Sequence, residues 1–105
     1  LTPNEFQRSL AGAHPPQGCA PALQALWWVA KADWDAAHQI VMADESADCA
    51  WVHAHLHRVE GDLDNARYWY RRAGKPAVAG AVAAERDAII AALLDGTRGP
   101  RDSSA

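Results

Sequence analysis

The chain has 105 residues, is 50% hydrophobic and 22% charged, and carries a net charge of −3. That length suits one domain with a real core and not two. The negative balance argues against a general nucleic-acid binder, which needs a basic face to neutralise phosphates, and no apolar run reaches the roughly 20 residues that cross a bilayer.

Thr2-Pro3-Asn4-Glu5 has the residues of a helix start: Thr2 to cap, Pro3 in the first turn, Glu5 to bond back to the cap. Phe6 and Leu10 follow one turn apart, and Gly12 is the expected stop. His14-Pro15-Pro16-Gln17-Gly18-Cys19 is expected to be a loop. Pro21 opens a second helix to about Lys31, with Leu23, Leu26, Trp27 and Ala30 at core spacing. Asp33 caps a third, with Trp34, Ala37, Ile40 and Val41 inside.

After a turn at residues 44–47, with Ser46 a candidate cap, a fourth helix is expected over Asp48–Glu60, burying Cys49, Val52, Leu56 and Val59. Gly61 ends it and Asp62 caps a fifth helix whose inner stripe is Leu63, Ala66, Tyr70 and Ala73, stopped at Gly74-Lys75-Pro76. A sixth is expected over about Ala79–Leu94. Val82, Ala83, Arg86, Ile89, Ile90, Leu93 and Leu94 mark its inner side and edges, and Gly96 closes it. Residues 1–96 form one helical domain in this reading, and residues 97–105 a polar C-terminal tail.

Residues 23–43 align with residues 52–72 without a gap, so that Asp33-Trp34-Asp35 falls on Asp62-Leu63-Asp64 and Ala37 on Ala66. Each copy reads as two short helices joined by a tight turn. Gly61-Asp62-Leu63 followed by Ala66, Tyr70, Ala73 and Pro76 resembles a tetratricopeptide-type helical hairpin. The first copy departs from it, with Ala32 at the glycine and Val41 at the aromatic. The repeat is shorter than the tetratricopeptide length of about 34 residues, and two copies are fewer than a solenoid needs. The expected fold is all-α, a compact five- or six-helix bundle built around two tetratricopeptide-like hairpins. The whole chain also resembles a family of short bacterial and fungal proteins that carry a segment similar to His53–Gly74, a resemblance that implies no activity.

His53, His55 and His57 lie on one helix. Positions i, i+4 and i+7 place His53, His57 and Glu60 on one flank, where two imidazoles and a carboxylate suit a divalent transition metal such as zinc. His38 is a candidate fourth ligand from the third helix, while Ala54 excludes the HExxH metalloprotease pattern. Tyr68-Trp69-Tyr70-Arg71-Arg72 sets aromatics beside guanidinium groups, a combination that anchors carboxylates or partner peptides. The two Asp pairs are explained by helix capping, and Cys49 by burial. No phosphate loop or nucleophile elbow occurs.

Two readings follow. In the first, the protein is a non-enzymatic helical-repeat module with no cofactor that binds a protein or peptide, or pairs as a homodimer, through Trp28, Trp69, Arg71 and Arg72. In the second, it is a metal- or small-ligand-binding protein, or an enzyme, centred on His53, His57, Glu60 and His38. The first residues show no basic n-region followed by an apolar h-region, and there are only two cysteines, so we expect a cytoplasmic protein that touches neither membrane nor nucleic acid.

Overall fold

Caps at both ends of the short helices fix where the chain turns. In the computed structural model, which describes residues 1–96, Thr2 and Glu5 form a reciprocal capping box at the start of α1 (Pro3–Ser9). α2 (Pro21–Ala30) begins on Pro21, and α3 (Trp34–Met42) is capped by Asp33, which accepts the Ala36 amide. Ser46 caps α4 (Ala47–Glu60), and Asp62 caps α5 (Leu63–Ala73) by accepting the Asn65 amide. α6 (Val82–Gly96) starts three residues later than the sequence suggests. Gly80 there holds a left-handed φ of +97°, and the segment from Lys75 to Gly80 forms no helix. The tail expected over residues 97–105 lies outside the described residues.

The result is an all-α bundle of six helices, with no strand among the described residues. No described helix is long and apolar enough to cross a membrane. α2 and α3 form one antiparallel hairpin and α4 and α5 a second; α4 is central, touching α2, α3, α5 and α6. The main core joins Phe6 of α1, Leu26 and Trp27 of α2, Val52 and Leu56 of α4, and Ile89 and Leu94 of α6. Burying large side chains of this kind stabilises the fold by about 1.5–3 kcal/mol each. The Trp27 indole donates to Ser9 Oγ at 3.0 Å, and Lys31 Nζ donates to the Leu10 carbonyl at 2.7 Å, tying α1 to the bundle.

Several inner positions differ from the expected pattern. Val59 and Leu63, on either side of the α4–α5 turn, are exposed. On α6 it is Glu85, not Arg86, that turns inward; Glu85 is buried and Arg86 lies half-exposed against Asp87. Ala83 is exposed as well.

Candidate functional site: a histidine cluster between α3 and α4

α4 carries histidines at alternate positions, and a helix sends alternate positions to different flanks. His53 and His57, one turn apart, emerge toward α3; His55 emerges toward α6. All three are buried.

On the α3 flank, His38 approaches from the facing helix. Its Nε2 lies 3.2 Å from Nε2 of His53. One ring nitrogen from each of His38, His53 and His57 falls within 4.8 Å of the others. Packing fixes the rings. Trp34 stacks on His38 at 4.5 Å between centroids, and its indole donates to the Leu56 carbonyl at 2.8 Å. His53 is sandwiched between Trp69 at 3.8 Å and His57 at 4.9 Å. His57 Nδ1 donates to Glu60 Oε2 at 2.6 Å, which leaves its Nε2 unprotonated when the ring is neutral. His53 Nδ1 is buried with no hydrogen-bond partner.

Burial, reinforced by His57 and His38, pushes the His53 pKa down to about 4. His38 is also lowered, first by burial and then by His57. Two of the three imidazoles are therefore neutral at pH 7, the form in which imidazole ligates a metal. A second group of possible donors, His57, Glu60 and Asp62, shares His57. Its carboxylates are exposed, and Asp62 is already engaged as the α5 cap.

The residues expected to contact a partner lie on two helices, Trp28 on α2 and Trp69, Arg71 and Arg72 on α5. Trp28 is half-buried and edge-on to Trp27 in the main core, and α2 does not touch α5. Trp69 is spent partly on His53, with Arg72 above it at 5.3 Å and bonded to the Tyr68 hydroxyl at 3.2 Å. Arg71 is exposed. Trp69 and Arg72 border a cavity of about 400 Å³, with His53 in its wall and Asp44, Glu45 and Ser46 at its rim.

On the other flank sits a polar cluster that sequence reasoning missed. Glu85 Oε1 accepts from His55 Nδ1 at 2.7 Å and from Arg58 Nη1 at 2.8 Å, and Oε2 accepts from the Tyr70 hydroxyl. Burial alone would raise the Glu85 pKa, but the three donors outweigh it and hold the carboxyl below its ordinary value. Tyr70 is raised, by burial and then by Glu85. Every oxygen of the carboxylate is engaged, as a structural ion pair requires. A lone acidic residue in the apolar stripe that leads to Ile89 was the available signal. Cys49 is buried and its thiol is pushed up to about 11 by burial, so it is no nucleophile.

In comparisons with known proteins, no family model matches the chain, and no curated protein or solved structure gives a significant match.

Proposed function

We propose that the protein binds a divalent transition metal of the zinc class through His38, His53 and His57. The observation that carries this reading is the 3.2 Å separation of the His38 and His53 Nε2 atoms, with a His57 nitrogen in the same group. Two nitrogens on a tetrahedral zinc, each about 2.05 Å from it, stand roughly 3.3 Å apart. An ordinary pair of core histidines has no reason to bring a third imidazole to the same point.

Glu60 supports the site from outside. By accepting from His57 Nδ1 it selects the tautomer whose Nε2 is a ligand, the arrangement common to metal-bound histidines. Imidazole ligands bring no charge of their own, so three of them would leave the metal its full charge and a fourth position for water or an anion. That favours a ligand-binding or Lewis-acid role over a closed structural site.

Metal analysis of untagged protein and calorimetric zinc titration test the proposal. His38→Ala is the informative variant, because His38 is only half-buried and its loss leaves the core intact. Zinc affinity should fall by at least about tenfold, and Co(II) bound to the wild type should show visible d–d bands that the variant lacks. Equal affinity in the two proteins, or no binding at micromolar zinc, would sink the proposal.

A further inference from the structure

A second recess lies on the far side of α4. The chain from Lys75 to Ala81 crosses in front of α6 and leaves a groove of about 440 Å³. Its walls are almost wholly apolar: Trp51 from α4, Pro76 and Val78 from the crossing segment, Ala84, Ala88 and Ile89 from α6. The volume falls in the range of about 300–1,000 Å³ typical of small-molecule sites.

Two polar residues line it. Glu85 is saturated by His55, Arg58 and Tyr70, and its charge is balanced by Arg58. Lys75 is different. Its Nζ stands 4.3 Å over the Trp51 ring, and no described carboxylate lies within ion-pair distance of it. A cation held on an aromatic face at the edge of an apolar groove presents one positive charge beside a greasy slot.

We infer that this groove is a binding site for a monoanionic amphipath, a medium-chain carboxylate whose head group pairs with Lys75 and whose chain lies along Trp51, Ala84 and Ala88. A purely apolar ligand leaves Lys75 unpaired. Among the described residues that line the groove Lys75 is the one cation, and the nearby Arg58 is already paired with Glu85, so a polyanion is disfavoured and the single charge and the apolar length select together. The site is independent of the histidine cluster, which lies on the opposite flank of α4.

The experiment is a titration of the full chain with octanoate, followed by the indole signal of Trp51 and the amides of Ala84 and Ala88 in heteronuclear NMR, with octanol as the uncharged probe of equal length. Octanoate should saturate these signals and bind about three- to tenfold more tightly than octanol. Lys75→Gln should bring octanoate down to the octanol affinity and leave octanol unchanged. Ala88→Phe, which fills the groove with Lys75 in place, should abolish both. His38→Ala should change none of these results, which separates this site from the metal proposal. Equal affinity for the two probes, or an octanoate affinity indifferent to Lys75→Gln, would overturn the inference. So would Trp51 signals that move with protein concentration in place of ligand, since the groove would then be an interface between copies.

Discussion

The hairpin of α2 and α3 and the hairpin of α4 and α5 turn the chain in the same way and bury different chemistry. In the first, the Asp33 amide donates to the Trp28 carbonyl at 2.8 Å; in the second, the Asp62 amide donates to the His57 carbonyl at 2.9 Å. Both second helices are capped by that aspartate, through Ala36 and Asn65. Yet Gln24, Leu26, Trp28 and Val29 of α2 and its C-cap Lys31 become His53, His55, His57, Arg58 and Glu60 in α4. The backbone needs only the cap and the turn, so the remaining positions are free to carry function. In the first hairpin Leu26, Trp28 and Val29 pack into the hydrophobic core while Gln24 and Lys31 bond backbone carbonyls before α2, whereas α4 uses these positions for two polar clusters, one on each flank. The first hairpin then serves the second, lending His38 and the Trp34 that holds it.

The sharpest way to break this contrast is to remove the carboxylate that α4 needs and α2 does not. Glu85→Ala takes the shared acceptor from His55 Nδ1 and Arg58 Nη1, in a site where the Arg58 side chain is 8% exposed and keeps only its bond to the Gly80 carbonyl. A loss of about 3–5 kcal/mol is expected from urea denaturation. Glu85→Gln keeps one acceptor oxygen and should lose less. If the alanine variant lost under about 1 kcal/mol, the cluster would not be acting as a unit.

A smaller effect separates the other flank. With chelator present, His53 is a neutral buried imidazole with a pKa of about 4, whereas in the unfolded chain it titrates near 6.5. Between those values the unfolded state binds the extra proton, so stability is unaffected above about pH 6.5. It falls as pH drops through the window and levels off below about 4, a total of up to about 3 kcal/mol. His53→Gln, which restores the residue of the first hairpin, should flatten this slope. An unchanged pH profile in that variant would show that another group sets it.

Much of the fold was legible in the sequence because it rests on local signals. Thr2, Asp33, Ser46 and Asp62 each cap where the residue type and spacing place them. The pairing of His53 with His57 is also local, a matter of helical spacing. Glu85 was not legible, since a carboxylate buries only if three donors from two other helices converge on it, and sequence spacing says nothing of convergence. The stacking of Trp69 on His53 at 3.8 Å was not legible either, because it joins side chains of two different helices. The later start of α6 reflects Gly80, whose left-handed backbone suits the entry turn and not a helix interior.

The smallest predicted effect concerns the one place where the two turns differ in ease. Gly61 adopts φ +87° and Ala32, its counterpart, φ +63°. Both support the same bond to the residue three before, Val29 at 2.9 Å and Arg58 at 3.0 Å, so the left-handed geometry is imposed on alanine by the turn. For alanine that conformation costs about 1 kcal/mol, while glycine loses roughly 0.5–1 kcal/mol of chain entropy but adopts it freely. A Cβ at Gly61 would meet nothing within 4 Å, so the difference is conformational and not steric. Ala32→Gly should therefore raise Tm by up to about 4 °C, and Gly61→Ala should lower it by a similar amount. Opposite signs of similar size would establish that the two turns are one structural solution. A Tm that fell in both variants would mean that the Ala32 methyl contributes packing that its counterpart lacks.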